Sequence, residues 1–169
     1  MGAGKTTVGR KLSKATGWQF IDLDQSIEAA TGVSVSTIFE IEGEAGFRQR
    51  EAQGLKQFAL SGNMVVATGG GVVLNPMNRA LMTATGVVVY LHASPELLFE
   101  RTRHDKTRPL LQVPDPLARI TSLVEKRDPL YREVADITIE SGAGVNNAVS
   151  AIARAIKLPD QRKPPVRDR

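Results

Sequence analysis

The sequence predicts an α/β fold in which helices cover both faces of a parallel sheet. Two continuous apolar runs, residues 64–67 and 87–91, have the composition of strands that are buried on both faces. Segments with helical spacing of apolar residues alternate with these runs, and such alternation is typical of parallel sheets. Acidic and glycine-rich segments, Asp22-Leu23-Asp24 and Gly69-Gly70-Gly71, directly follow strands, at the edge where open α/β sheets bind ligands.

The elements of the first half of the chain follow from capping residues and glycines. Helices are predicted over residues 7–16, 25–31 and 44–60, and a glycine closely follows each of them. A short strand over residues 18–22 joins the first two helices. Ser34 or Ser36 can cap a further helix over residues 37–42, ahead of the long helix and the buried strand.

Prolines mark most elements of the second half. Pro76 begins a helix that reaches about Ala84, and Ser94 with Pro95 begins the next helix. Residues 104–116 form a polar loop, and the helix over residues 116–134 is expected to kink or end near Asp128 because of Pro129. A strand over residues 136–140 and an amphipathic helix over residues 145–157 complete a domain that spans residues 1–158.

Composition limits the classes of function. The 169 residues have the length of one domain, with 41% hydrophobic and 24% charged residues. The chain has no cysteine and no apolar run of the roughly 20 residues that a membrane span requires, so we expect a cytoplasmic protein without a membrane partner. Residues 159–169, a basic Pro-rich tail that we expect to be disordered, supply part of the net charge of +4. Aromatic residues make up only 5%, so no nucleic-acid partner is expected.

The amino end carries the second half of a phosphate-binding loop. Gly4, Lys5 and Thr6 match the end of the pattern G-x-x-x-x-G-K-[ST], whose leading glycine would lie before Met1. In such a loop backbone N–H groups surround phosphate oxygens, and the following helix directs its amino end at the anion. Lys5 would contact the terminal phosphates, and the Thr6 hydroxyl would bind Mg²⁺. A glycine-rich start that arose by chance is the alternative.

Asp22 and Asp24 are the candidate acidic residues of a catalytic site. One carboxylate would hold Mg²⁺ through water, and the other would accept a proton from a substrate hydroxyl. Strand alternation places both near the mouth of the site while Leu23 turns inward. The alternative is that one of the two simply caps the helix that begins near Gln25.

The three consecutive glycines Gly69, Gly70 and Gly71 favour close approach of the backbone to a ligand. Their N–H groups are available as donors, and no Cβ blocks the approach. Since three glycines in a row cost substantial chain entropy, a ligand is favoured over the alternative of a flexible turn.

Arg48 and Glu51 lie one helical turn apart and within reach of each other. The default interpretation of this spacing is a surface ion pair. The functional interpretation is that Arg48 clamps a substrate carboxylate, is oriented by Glu51, and is flanked by Phe39 and Phe47. The planar fork of arginine suits this task because it meets a carboxylate with two hydrogen bonds.

Two further arginines have equally open interpretations. Arg108 ends a polar loop and would reach a transferring phosphate if the loop acts as a mobile lid, although a solvated surface loop is the alternative. Arg127 lies near a predicted helix end with the same ambiguity. His104 has no partner pattern and is expected to be exposed.

Taken in order along the chain, a series of motifs resembles the shikimate kinase family of P-loop proteins. The motifs are GAGKTT, FIDLD, FRQRE, TGGGVV, RTRHDKTRPLL and KRDPLY, and the likeness extends from Met1 to about Leu158. The resemblance implies a three-layer P-loop kinase fold with the family strand order 2-3-1-4-5, and a monomer. It also implies transfer of the γ-phosphoryl of ATP to the 3-hydroxyl of shikimate, a step toward chorismate and the aromatic amino acids.

The resemblance also implies roles for individual residues. For ATP it implies the loop residues Gly2, Ala3, Gly4, Lys5, Thr6 and Thr7, with Arg101 packed on adenine and Thr6 and Asp22 at Mg²⁺. For shikimate it implies Asp24, Arg48, Gly69, Gly70, Gly71 and Arg127. Arg108, in a lid over about residues 103–115, would contact the phosphate region, so that Lys5, Asp24 and Arg108 are the catalytic candidates. The adenine loop is placed somewhere in residues 141–146.

The family has a hydrophobic strand before the P-loop, and the sequence as given has no residues for it. We therefore expect the strand that ends at Ala67 and the strand that ends at Leu91 to face a gap. The corresponding hypothesis is that Met1 is an internal methionine of a longer chain.

Two alternatives to this function stay open. A gluconate-kinase-like enzyme would share the fold and the loop, although Asp22, Asp24 and the FRQRE, glycine and RPLL motifs favour shikimate. An inactive nucleotide-binding domain is the second alternative, suggested by the strand that is not in the sequence.

Overall fold

The computed structural model describes residues 2–105 and 109–157, and in them strands alternate with helices as predicted. The helices are α1 Lys5–Thr16, α2 Leu23–Thr31, α3 Val35–Ala59, α4 Pro76–Thr85, α5 Pro95–Thr102, α6 Pro116–Val134 and α7 Val145–Lys157. The strands are β1 Gln19–Asp22, β2 Met64–Ala67, β3 Val89–His92 and β4 Ile137–Glu140. Short 3₁₀ turns lie at Val72–Leu74, Pro109–Leu111 and Ser141–Ala143. No helix in the described residues is long and apolar enough to cross a membrane.

The strands form two parallel pairs. β1 pairs with β2 from Gln19 opposite Met64 to Asp22 opposite Ala67. β3 pairs with β4 from Val89 opposite Ile137 to His92 opposite Glu140. The pairs β1-β2 and β3-β4 are those that the family order 2-3-1-4-5 leaves when its strand 1 is omitted, and the predicted α/β fold class is confirmed.

A groove separates the two strand pairs. In the described residues β2 and β3 do not pair with each other, and both line a cavity of about 480 Å³. Helices α1 and α7 contribute Val8, Leu12 and Ile152 to its walls, and α3 contributes Leu55 and Phe58. The inner edges of β2 and β3 therefore face an apolar groove, as expected for the gap between the strands that end near Ala67 and Leu91.

Two hydrophobic clusters pack around the strand pairs. The first joins α1, β3, α5, α6 and α7 through buried residues that include Leu12, Leu91, Leu98, Ile120 and Ile152. The second joins α2, α3 and the turn after β2 through residues that include Leu23, Ile27, Ile38, Phe47 and Val72. The phosphate-binding loop belongs to the first cluster, and the helix that carries Arg48 belongs to the second.

The kink in α3 lies at Gly43, between the two helices predicted over residues 37–42 and 44–60. Gly43 has a φ of 69° and a ψ of -177°, which are not helical and which glycine readily adopts, so the predicted break between the two helices is confirmed.

The helix predicted over residues 116–134 is confirmed as α6. Of the two expectations for Pro129, a kink or an end near Asp128, the end is wrong, because α6 continues to Val134. Buried residues on both sides of Pro129, among them Leu123 and Val134, hold α6 in place despite the lost hydrogen bond.

Candidate active site

The phosphate-binding loop precedes α1 with a backbone that only glycines adopt easily. Gly2 has a φ of 67° and Gly4 a φ of 86°, both in the left-handed region. Lys5 is the first residue of α1, and the carbonyl of Gly4 already accepts a hydrogen bond from the Val8 amide at 2.9 Å. The first amide groups of a 12-residue helix therefore lie beside the loop, an arrangement suited to binding phosphate.

Asp22 connects this loop to the end of β1. Its Oδ2 accepts a hydrogen bond from the Thr6 hydroxyl at 2.8 Å, and its Oδ1 accepts a longer one from the Gln25 amide at 3.5 Å. Asp22 is thus both the cap of α2 and the partner of Thr6, so the two interpretations of this carboxylate are compatible. In the part of the chain that the structure describes, no cluster of three or more His, Cys, Asp or Glu side chains could hold a metal ion. A hydroxyl and one carboxylate nevertheless fit Mg²⁺, which binds proteins through few side chains and takes its other ligands from phosphates and water.

Asp24 lies in the first turn of α2, next to the glycine loop. Its Oδ1 is buried and has no hydrogen-bond partner in the described protein. A Cβ on Gly69 would lie 3.2 Å from this oxygen, so a side chain at Gly69 would cover it. Burial raises the pKa of Asp24 above its usual value, the charge of Asp22 adds to this, and Lys5 and Arg48 oppose it. A carboxyl with these properties is suited to accept a proton.

Glu51 is completely buried and holds Arg48. The two side chains form an ion pair of 2.8 Å, and Glu44 binds the same guanidinium at 2.9 Å. The guanidinium also lies over the ring of Phe47, 5.2 Å from its centroid. The default interpretation as a surface ion pair is therefore wrong for Arg48 and Glu51, since one partner has no exposed surface.

The glycine loop after β2 packs against these charged groups. A Cβ on Gly71 would overlap the Arg48 guanidinium, and a Cβ on Gly69 would lie 2.5 Å from Glu51 Oε1. Glu51 Oε1 is itself buried without a hydrogen-bond partner in the described protein. The close approach that was predicted for the glycines is therefore made first to protein side chains, and the loop forms a wall beside Asp24, Arg48 and Glu51.

Arg127 reaches the same place from α6. Only 6% of its surface is exposed, and its Nε has no hydrogen-bond partner in the described protein. Its positive charge acts on both Glu51 and the Tyr131 hydroxyl. The structure thus brings Arg48 and Arg127, which are far apart in the sequence, close enough to one buried carboxylate for both positive charges to act on it.

Arg101 lies beside the phosphate loop and is engaged by protein groups. It donates to the Gly2 carbonyl at 3.1 Å and to Ser141 Oγ at 2.6 Å. Ser141 in turn donates to the Ala3 carbonyl at 2.7 Å. From the sequence, the segment that contains Ser141 was predicted to be the adenine loop. The hydrogen bonds of Ser141 to the Ala3 carbonyl and to Arg101 were not predicted.

Some predicted features lie outside the described residues. These are Arg108 with its neighbours 106–107, and the tail over residues 159–169. The described part of the lid includes His104, which is exposed as expected. Sequence reasoning also missed Tyr131, which donates a hydrogen bond to the Gly70 carbonyl at 2.5 Å. The sequence signal that could have identified Tyr131 is its position four residues after Arg127, which places both side chains on the same face of the helix.

A phosphate-binding loop at the start of a helix, in a parallel α/β fold with acidic residues at the strand ends, defines a P-loop phosphotransferase. The family model described as shikimate kinase matches residues 1–157. The chain belongs to the shikimate kinase family.

Individual relatives agree with this assignment. A shikimate kinase from Aromatoleum aromaticum is 60% identical over 144 residues, which cover 85% of this chain and 82% of the relative. One from Halorhodospira halophila is 55% identical over 150 residues, 89% of this chain and 85% of the relative. The solved structure of shikimate kinase from Acinetobacter baumannii in complex with shikimate has a TM-score of 0.91 and 45% identity, over 96% of this chain and 91% of the other.

A gluconokinase structure from Sinorhizobium meliloti is a more distant neighbour. It has a TM-score of 0.54 and 20% identity over 93% of this chain and 89% of the other. At that identity the likeness concerns the fold alone.

Proposed function

We propose that the chain transfers the γ-phosphoryl of ATP to the 3-hydroxyl of shikimate. The observation that carries this proposal is the convergence of Asp24 Oδ1, Glu51 Oε1 and Arg127 Nε, three buried polar atoms without a hydrogen-bond partner in the described protein. Leaving such atoms unsatisfied costs about 1–3 kcal/mol each, and a ligand that offers hydroxyls and a carboxylate would satisfy them. Shikimate is a small cyclic acid with several hydroxyl groups and has this combination.

The arginines and the glycine wall would orient the acid. Arg48 and Arg127 would bind the carboxylate, because both positive charges act on Glu51 and both side chains are at least partly buried. Gly69, Gly70 and Gly71 would form the wall of the site, and Asp24 would accept a hydrogen bond from the acceptor hydroxyl. When the acid is held in this way, most of the reduction in the activation barrier comes from alignment of the reacting groups and from stabilisation of charge.

The transfer step uses Asp24 and the amino-terminal loop. The acceptor oxygen forms a bond to the γ-phosphorus, the bond from that phosphorus to the β–γ bridging oxygen breaks, and the hydroxyl proton passes to Asp24 as ADP leaves. The amides of Gly2, Ala3, Gly4 and Thr7 would surround the phosphates, with Lys5 at the terminal ones. Thr6 and Asp22 would hold Mg²⁺, which when bound neutralises phosphate charge.

Two further arginines, Arg101 and Arg108, would complete the ATP-binding side of the site. Arg108, on a lid over about residues 103–115, would contact the transferring group, and Arg101 would pack on adenine after release from Ser141. The catalytic domain would extend over residues 1–158. The proposed enzyme is a monomer in the cytoplasm. Its partners are ATP and shikimate, and it binds neither nucleic acid nor a membrane.

A coupled ADP-release assay tests the proposal. The protein is given ATP and Mg²⁺ with shikimate, with gluconate, or with no acceptor. We expect ADP release that depends on shikimate and is close to background with gluconate, because a site that hydrogen-bonds particular hydroxyls rejects acids that place them differently. Equal turnover with both acids, or turnover with gluconate alone, would contradict the assignment.

A further inference from the structure

We propose that Tyr131 is a positioning residue for the acid-binding end of the site, which it builds by fastening the glycine wall to Arg127. This inference rests on the proposed function. Tyr131 acts through its neighbours and is not placed at the reacting atoms.

The first observation is the hydrogen bond from Tyr131 to the centre of the wall. The hydroxyl donates to the Gly70 carbonyl at 2.5 Å. The residue before this carbonyl, Gly69, approaches Asp24 and Glu51, and the residue after it, Gly71, approaches Arg48. One hydrogen bond therefore fixes the middle of a segment whose two ends contact the acidic and basic groups of the site.

The second observation is that the same hydroxyl contacts Arg127. Tyr131 follows Arg127 by four residues on α6, so both side chains lie on one face of the helix. Against the raising effect of burial, the charge of Arg127 acts to lower the pKa of the Tyr131 hydroxyl, so the hydroxyl that donates to the Gly70 carbonyl also lies next to the arginine. The same oxygen therefore lies beside both the wall and the Arg127 guanidinium.

The third observation is the position of the Tyr131 ring. Together with Gly69, Gly70 and Arg127 it lines a cavity of about 120 Å³. It packs against Tyr90 with centroids 4.8 Å apart, and the Tyr90 hydroxyl donates to Asp128 at 2.8 Å.

Tyr131 is suited to be a permanent donor. Burial raises the pKa of its hydroxyl above the usual value of 10.0, and the charge of Arg127 opposes this without reversing it. The hydroxyl therefore keeps its proton at neutral pH.

The test is Tyr131→Phe in the full chain, with Tyr90→Phe as the matched control. Both changes remove one hydroxyl from the same ring pair, but only the first breaks the bond to Gly70. We expect Tyr131→Phe to raise KM for shikimate about tenfold and to leave KM for ATP and kcat within about twofold, because the hydrogen bond to the partly buried Gly70 carbonyl is lost and the hydroxyl beside Arg127 is removed. Tyr90→Phe should leave KM for shikimate within about twofold.

A merely structural role gives a different result. It predicts a lower melting temperature with equal changes in both KM values, or a change in kcat alone, and either outcome overturns the proposal. A double-mutant cycle with Arg127→Lys adds a second check. If Tyr131 acts through Arg127, the effects on KM for shikimate are not additive, whereas additive effects contradict the mechanism.

Failure of the proposed function is distinguishable from failure of this inference. In the first case the unmodified protein has no shikimate-dependent turnover. In the second it turns over shikimate normally, and Tyr131→Phe has the same KM for shikimate.

Discussion

Glu51 and Arg48 form an ion pair of 2.8 Å in which the carboxylate is fully buried and the guanidinium faces the glycine wall. Such a pair is costly to bury and costlier to break, because removal of one partner leaves the other charge without compensation. It orients the arginine fork that the proposed acid substrate needs.

Replacing Arg48 tests this orientation. Arg48→Lys keeps the charge but loses the planar fork, so we expect kcat/KM for shikimate to fall about 100-fold while ATP affinity stays unchanged. Arg50→Lys is the matched control, because Arg50 pairs with Glu42 at 2.6 Å near the surface, and its activity should stay within about twofold. Steady-state kinetics and nucleotide titration supply the measurements. Equal losses in both variants would refute a special role for Arg48.

Asp24 makes stability depend on pH. Its pKa in the folded protein is raised, chiefly by burial, so the folded state holds a proton more tightly than the unfolded chain does. The free energy of unfolding therefore falls as the pH rises from 3.8, the usual pKa of an aspartate, through the higher pKa that Asp24 has in the folded protein. We expect Asp24→Asn to be more stable than the original at neutral pH, with a difference that shrinks toward acid, and to have lost nearly all turnover. Urea unfolding across this pH range gives the answer, and a less stable variant at neutral pH would speak against the burial argument.

Gly71 tests the close approach of the wall. In Gly71→Ala the new methyl would overlap the Arg48 guanidinium and displace it from Glu51. We expect KM for shikimate to rise about tenfold or more with little change in KM for ATP. Gly62→Ala is the control, since a Cβ there meets nothing within 4 Å. If the two alanine variants are kinetically alike, the wall does not depend on this contact.

The groove between β2 and β3 leads to a prediction about stability. An extension at the amino end with an apolar segment and a glycine should enter the groove, pair with both strands, and raise the melting temperature by about 10 °C or more. ATP affinity should rise with it, because the phosphate loop would gain its leading glycine. An extension of equal length made of serine and glycine is the control. Identical melting temperatures and identical ATP affinities for the two extended proteins would disprove the expectation.

The order of strands and helices was predictable because apolar runs and capping residues are local signals. Met64–Ala67 and Val145–Lys157 have the bounds that the sequence predicted. The strand expected over residues 87–91 instead begins at Val89. The pairing of β3 with β4 starts at Val89, and Val87, two residues earlier, is exposed. Local patterns carry no information about where a partner strand stops.

The site was predictable in part for the same reason. The resemblance named Asp24, Arg48 and Arg127, but nothing local indicated that Glu51 would be completely buried or that Ser141 would fasten the Ala3 carbonyl. Those contacts join segments that are distant in the chain, and they follow from packing rather than from spacing.

Asp22 accepts hydrogen bonds from both Thr6 and Gln25, and so one carboxylate ties α1 to the first turn of α2. On the proposed function, a metal bound with the nucleotide would compete for this carboxylate and so would perturb the turn that carries Asp24. Binding of ATP and of the acid would then be energetically linked, and such linkage is reciprocal: the factor by which ATP changes the affinity for the acid equals the factor by which the acid changes the affinity for ATP.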